Sequence, residues 1–309
     1  MGEYYAHQMK INQVIEKYFW IFLILGILIG LWQPVAFETP KYLPKILLGA
    51  MLFFVFLKIN ALEIIEKMRN FKLMIYIALV YMIIIPLLFF LLVNIFDRQL
   101  ALGILLLTAM PAGVSTPALT DILEGNISLA MSIAIVTQVI APFTVPFLFW
   151  MIGTKGLDIN KLLLFKDISI LVFLPLILAQ VIKKYLPAVI SKTQHLFTSA
   201  NIFLLFAFVY VAISSQRNII LGNPVNLLWK TSVLYLLFII LHAVGYFICY
   251  RESKENKIAL SITSAYMNNG LAIVLASTYF GPGILVLMVL SEIPWNTLLA
   301  PFKRILRYL

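Results

Sequence analysis

Glu292, Trp295 and Asn296 stand at spacings of three and four in SEIPWNTLLAP, so a helix carries all three on one face. The residues around them are apolar, and a carboxylate in such surroundings costs about 3 kcal/mol or more. Two chemistries fit it. Glu292 is either a group that couples to an ion or a proton, or a structural carboxyl kept neutral or paired with Lys230 or His242. A second grouping runs Ser261, Ser264 and Asn268 at i, i+3 and i+7 into YMNNG, residues 266–270. Hydroxyls and amides so placed either ligate a small polar molecule or only tie helices together. A third is MPAGVSTP, residues 110–117, where Pro111, Gly113, Ser115, Thr116 and Pro117 follow one another closely. Gln138 is the fourth. It precedes Pro142 by four residues and either bonds carbonyls freed by that proline or touches a ligand.

The elements that must position these groups are membrane helices. Of 309 residues, 62% are hydrophobic and 12% charged, with a mean hydropathy of +1.01. Soluble domains are about half apolar and roughly a quarter charged. A span takes about 20 apolar residues. The apolar runs give ten, at 18–36, 43–60, 72–96, 99–123, 126–152, 162–183, 199–217, 225–250, 257–280 and 283–302. The fold class is thus an all-α polytopic membrane protein. Polar loops separate spans two and three (KINALEIIEKMRNFK, from Lys58) and spans eight and nine (RESKENK, from Arg251).

Charge sets the orientation. With the N-terminus inside, fifteen Lys and Arg fall on inner segments (Lys10, Lys17, Lys58, Lys67, Arg69, Lys72, Lys183, Lys184, Lys192, Arg251, Lys254, Lys257, Lys303, Arg304, Arg307). Seven fall outside (Lys41, Lys45, Arg98, Lys155, Lys161, Lys166, Arg217). Positive residues gather on the cytoplasmic side, so both termini are expected in the cytoplasm of a cell in whose membrane the chain is multi-pass. The pI of about 9.6 reflects this bias and does not point to nucleic acid. No cleavable signal peptide is expected, since the first apolar run follows a mixed-charge segment and lacks a small-residue cleavage site. Ala6 excludes the myristoylation pattern that Met1-Gly2 suggests. The single cysteine, Cys249, excludes a disulfide framework and a thiolate metal cluster. GILIG, Gly26 to Gly30, reads as a helix-packing motif.

Five spans lie in residues 1–155 and five in 156–309, which suggests a duplication. Five being odd, the two repeats run inverted. Span four is interrupted at MPAGVSTP and span nine at YMNNG, about half a chain apart. Each is followed by a proline-containing span. Paired interruptions in corresponding spans are the best sequence pointer to a secondary transporter's binding site. In hydrocarbon an unsatisfied backbone group costs several kcal/mol, so irregular backbone survives only inside protein or along a cavity. Half-helices beginning near Ser115 and Asn269 would turn N-termini toward the membrane centre, and such ends attract anions.

Two stretches resemble the bile acid:sodium symporter superfamily. MPAGVSTPALTDILEGNISLAMSIAIVTQVIAPFTVP, residues 110–146, is similar to that family's proline-glycine crossover with the following helix. MNNGLAIVLAS, residues 267–277, is similar to its asparagine crossover, and PWN, Pro294 to Asn296, echoes a Trp-His-Asn motif in its last span. The resemblance implies a panel of spans 1, 2, 6 and 7 and a core of spans 3–5 and 8–10. It also implies that the broken fourth and ninth helices cross, that an anionic substrate binds near the crossing, and that core moves against panel in alternating access. It maps the family's sodium ligands onto Thr116, which keeps its hydroxyl, and onto Pro117, Ala130 and Ala134, which do not. The family's glutamate falls at Thr263 or Ser264 and its span-three glutamine at Tyr81. The sodium site is therefore degraded, and Glu292 is the group that would supply the missing charge or carry a proton. The arsenite-efflux branch needs an intramembrane thiolate, and Cys249 stands at the end of span eight.

The expected function is a secondary active transporter of a small or amphipathic organic anion. Ser115, Thr116, Asn268, Asn269, Gly270 and Asn296 would bind substrate. Glu292, Gln138, Thr116 and Ser264 would bind the coupling ion, sodium or a proton, and Pro111, Gly113 and Pro117 would make the first break. The alternative is an uncoupled facilitator or a substrate sensor on the same fold. No resident cofactor is expected. An enzyme is excluded: there is no G-x-S-x-G, no aspartate-rich metal motif, and Asp121 and Asp167 fall at span ends rather than as an intramembrane pair.

Overall fold

The structure is a computed structural model, and it describes residues 19–33, 40, 42–59, 71–153, 159–222 and 224–309. The loop reading after residue 59, the end of span one and the N-terminal segment before Phe19 lie outside the described residues. Every regular element among them is helical. A bilayer offers no water to backbone groups, so an apolar chain crosses it as helices, which satisfy their own N–H and C=O groups. The helices are α1 (Phe19–Trp32), α2 (Leu43–Lys58), α3 (Phe71–Leu79), α4 (Ile85–Asn94), α5 (Arg98–Thr108), α6 (Thr116–Ile122), α7 (Ile127–Met151) and α8 (Lys161–Tyr185). They continue as α9 (Pro187–Thr193), α10 (Phe197–Gly222), α11 (Pro224–Phe247), α12 (Lys254–Ala265), α13 (Asn269–Tyr279), α14 (Pro282–Leu290), α15 (Glu292–Thr297) and α16 (Leu299–Ile305).

Among the described residues, five helical stretches are long and apolar enough to cross a membrane: Lys72–Asn94, Ile127–Met151, Lys161–Tyr185, Pro187–Gly222 and Val225–Phe247. A sixth is bent by 41°, Pro282–Thr297 with Leu299–Ile305. This is a multi-pass membrane protein. Spans four and nine of the sequence reading are not continuous: each is two short helices around a break, α5 with α6 and α12 with α13.

The chain divides into two compact units. The first takes Met1–Ala61 and Ser169–Asn218, hence α1, α2, α9 and most of α8 and α10. In it Gly26 and Gly30 let α1 approach α10: a Cβ at Gly30 would come within 3.1 Å of the Tyr210 carbonyl oxygen. The Arg217 guanidinium donates to the Leu31 carbonyl at 2.6 Å. Gln180 donates to the carbonyls of Phe56 at 3.2 Å and Ile59 at 3.3 Å, holding α8 at the end of α2.

The second unit takes Leu62–Ile168 and Ile219–Leu309. Several of its helices start at side-chain caps. Asp97, Asn126 and Asn268 each accept the N–H three residues on, from Leu100, Leu129 and Leu271, all at 3.0 Å. Between α3 and α4 lies a π-helical turn, Val80–Ile84, in which the Ile85 N–H bonds back to the Val80 carbonyl. Pro86, next in line, has no N–H to offer the ordinary ladder. The turn sets Tyr81 against α12, where its hydroxyl donates to the Leu260 carbonyl at 2.8 Å.

Candidate functional site

The two breaks meet inside the second unit as a short antiparallel bridge between Ala112 and Met267. The Gly113 N–H donates to the Tyr266 carbonyl at 2.7 Å, and the Asn268 N–H donates to the Pro111 carbonyl at 2.8 Å. Backbone this close leaves no room for a side chain: a Cβ on Gly113 would stand 2.9 Å from the Tyr266 oxygen. Buried backbone groups need partners, and the others at the first break find them on α6 and α7. The Thr137 hydroxyl accepts the Ala112 N–H at 3.1 Å, and the Gln138 amide donates to the Ala112 carbonyl at 3.3 Å. The Thr116 hydroxyl donates to the Gly113 carbonyl at 2.7 Å. At the second break the Trp295 indole donates to the Met267 carbonyl at 3.2 Å, and its ring packs edge-on against Tyr266 at 5.2 Å.

Several polar atoms at this crossing are buried without a hydrogen-bond partner among the described residues. They are Gln138 Oε1, Asn268 Nδ2, both amide atoms of Asn269, Ser264 Oγ and Asn296 Oδ1. Gln138 is 2% exposed and Asn269 4%. Such groups cost about 1–3 kcal/mol each when left unmade, so a polar occupant at the crossing would offset that cost. Glu292, 7% exposed, is the one buried carboxylate among the described residues. Its carboxylate accepts from the Asn296 amide at 3.2 Å, and that amide also donates to the Glu292 carbonyl at 2.7 Å. The Asn269 side chain faces the same carboxylate.

The expected site residues therefore fall into three groups. Asn268, Asn269, Gln138 and Thr116 lie at the crossing, with Pro111 and Gly113 forming its bridge and Pro117 buried in the first turn of α6. Glu292 and Asn296 lie beside the second break. Ser115 and Gly270 are half-buried at the starts of α6 and α13. Gln138 turns to the carbonyl of Ala112, not to carbonyls near Pro142. Ser261 donates to the His242 carbonyl at 2.8 Å and acts as a tie between helices. His242 does not partner Glu292: its Nδ1 pairs with the Phe238 carbonyl at 2.8 Å, and its ring sits 5.3 Å from Tyr266 and 4.5 Å from Phe302.

Ser264 also lines a cavity of about 10 Å³ that adjoins the bridge, with Ala112 and Met267 in its wall, roughly the space of one water. Tyr81, Thr108, Thr137, Thr263 and Ser264 give it hydroxyls, and Met110, Met267 and Leu241 close it. Most of these hydroxyls are committed as donors to helix carbonyls: Thr108 to Ile104, Thr137 to Ile133, Thr263 to Ala259. Its lining holds no carboxylate. Thr137 is the residue at the crossing that the sequence reading did not name, while it named Trp295 and Tyr81 without giving either a binding role. Thr137 adjoins Gln138, and Trp295 shares a face with Glu292, so both signals were present in the spacing.

A model of the SBF-like CPA transporter family matches residues 17–296. The chain is 24% identical over 281 residues to a protein of Bacillus subtilis (strain 168) named uncharacterized sodium-dependent transporter YocS, covering 88% of this chain and 85% of that one. It is 25% identical over 190 residues to the probable sodium/metabolite cotransporter BASS4, chloroplastic, of Arabidopsis thaliana, covering 56% of this chain and 44% of that one.

Proposed function

Since the chain belongs to the SBF-like CPA transporter family, we propose that it is a secondary active carrier of a small or amphipathic organic anion, worked by alternating access in the cell membrane. It is a transporter and not an enzyme. The observation that carries the reading is the pair of broken helices bridged at Ala112 and Met267 with unpartnered polar atoms around them. Irregular backbone at membrane depth is kept where it serves a binding site. Substrate meets Asn268, Asn269, Gly270 and Asn296, with Ser115 and Thr116 at the start of α6. The N-terminus of α13 supplies partial positive charge for an anion. Ten spans in two inverted repeats, with both termini cytoplasmic, remain our topology. Grouping of α1, α2, α8 and α10 apart from the other long helices supports the division into panel and core.

The relatives' names carry sodium. The hard oxygens for such an ion at this crossing are Gln138 Oε1, Asn269 Oδ1 and the Glu292 carboxylate, beside half-helix carbonyls. The hydroxyl-lined cavity near Tyr81 lacks a charge and is a poor second. Glu292 is thus the coupling residue, for sodium as its counter-charge or for a proton as its carrier. Thermal unfolding of the detergent-purified protein, sodium against choline at fixed ionic strength from pH 5 to 8, tests this, because whatever binds only the folded state raises the midpoint. A saturable sodium-specific rise, or a pH-dependent midpoint, is expected, and Glu292→Gln should abolish it. If Glu292→Gln leaves both unchanged, Glu292 is not the coupling group. If the native protein responds to neither, the chain is an uncoupled facilitator or a sensor.

A further inference from the structure

One end of the second unit carries a cavity of about 430 Å³ that has no part in the crossing. That volume lies in the range of about 300–1,000 Å³ usual for small-ligand sites. Its floor is apolar, made by Leu123, Ile258 and Leu306, all buried. Its rim carries Lys254, Lys303 and Arg307, with Glu124 and Glu255.

The frame is fixed. The turn after α6 and the start of α12 are stitched together by Asn126 N–H to the Glu255 carbonyl at 2.9 Å and by the Asn126 amide to Asn256 Oδ1 at 2.7 Å. Lys303 donates to the Ile122 carbonyl at 2.9 Å, and Lys254 to the Leu306 carbonyl at 2.8 Å. Each ammonium is thereby held at a helix end with two further N–H donors to give. The Arg307 side chain makes no hydrogen bond to the described residues and keeps its full fork. The Ser253 hydroxyl beside Glu255 holds its carboxyl below the usual range, and a first-turn acid is favoured by the α12 dipole. Ser253 and the Glu255 backbone favour the charged form most, and Lys254 adds less.

What surrounds the cavity says where it lies. Ile122, whose carbonyl Lys303 holds, and Ile305, Tyr308 and Leu309, which stand beside the lining residues in sequence, are exposed. Exposed tyrosines and aliphatic side chains among basic residues are the composition of a membrane–water boundary. A phosphate of a lipid bound there would have its acyl chains beside these exposed apolar side chains.

We propose that this cavity binds the headgroup of an anionic phospholipid. Lys303, Lys254 and Arg307 take the phosphate, Glu124 and Glu255 accept from headgroup hydroxyls, and the acyl chains run over Ile122 and Ile305. Basic pockets at helix ends on one membrane face are suited to such headgroups. The occupant would brace α16 against the tips of α6 and α12, the two broken spans.

The test is thermal unfolding of the full chain in neutral detergent with phosphatidylglycerol, phosphatidylcholine, phosphatidylethanolamine or soluble glycerol 3-phosphate added. A saturable rise in midpoint with phosphatidylglycerol alone is expected. Arg307→Gln should weaken the apparent affinity by about fivefold, and Lys303→Gln with Arg307→Gln should remove the rise. Lys161→Gln with Lys166→Gln, on basic residues outside the cavity, should leave it intact. Because Lys303 also holds the Ile122 carbonyl, its variant can start from a lower midpoint, and Arg307→Gln is the clean comparison. An equal rise with either zwitterionic lipid, a rise with glycerol 3-phosphate alone, or a phosphatidylglycerol rise unmoved by Arg307→Gln would overturn the proposal.

Discussion

At Met267 the second break gives one carbonyl to two donors, the Asn269 N–H at 2.9 Å and the Trp295 indole at 3.2 Å. Trp295→Phe keeps an aromatic ring against Tyr266 but removes the indole donor together with the second ring. Since the carbonyl keeps Asn269, and buried membrane hydrogen bonds average about 0.6 kcal/mol, the loss should be about 1 kcal/mol and a few degrees of unfolding midpoint. A midpoint equal to the native one would mean that the indole bond contributes nothing. The residue types of this site were legible in the sequence: prolines, glycines and amides in an apolar run have few other uses. Their pairings were not. Gln138 meets Ala112, Trp295 meets Met267 and Tyr81 meets Leu260. Each pair lies 26 to 179 residues apart, beyond the reach of any periodicity.

Single side chains also decide where the helices begin, and the caps give the element-scale prediction. Asn126 accepts the Leu129 N–H that opens α7 and donates to Asn256 at the start of α12. Asn126→Ala should cost about 0.5–2 kcal/mol through the lost cap, read as a lower melting midpoint in detergent. Asn126→Asp keeps the cap acceptor and loses only the donor to Asn256, so it should recover most of that loss. If the two variants melt alike, the link to Asn256 and not the cap is what matters. The long elements were legible because apolar run length alone sets them: the readings 72–96, 126–152 and 162–183 correspond to helices at 71–94, 127–151 and 161–185. The π-helical turn before Pro86 was not, and neither was the bend at Leu298 that divides the last span into α15 and α16. Both depend on how a proline's missing N–H is absorbed locally, and several backbone solutions exist for one sequence.

For the molecule entire, the proposed orientation, with both termini cytoplasmic, rests on the fifteen-to-seven bias of basic residues. With Cys249 the one cysteine, a Cys249→Ser background carrying Arg304→Cys gives a single exposed thiol. An impermeant maleimide should label it only after the cytoplasmic side is opened. Labelling of intact cells would place the C-terminus outside. The crossing also imposes an order on biosynthesis. The N–H and C=O of Ala112 are met by Thr137 and Gln138, which leave the ribosome about two dozen residues later. The Pro111 carbonyl and the Gly113 N–H wait for Asn268 and Tyr266, made about half a chain afterwards. A nascent first half therefore lacks the partners that one backbone acceptor and one donor find in the finished fold. Arrival of the second half is what closes the first, by giving the Pro111 carbonyl and the Gly113 N–H their partners.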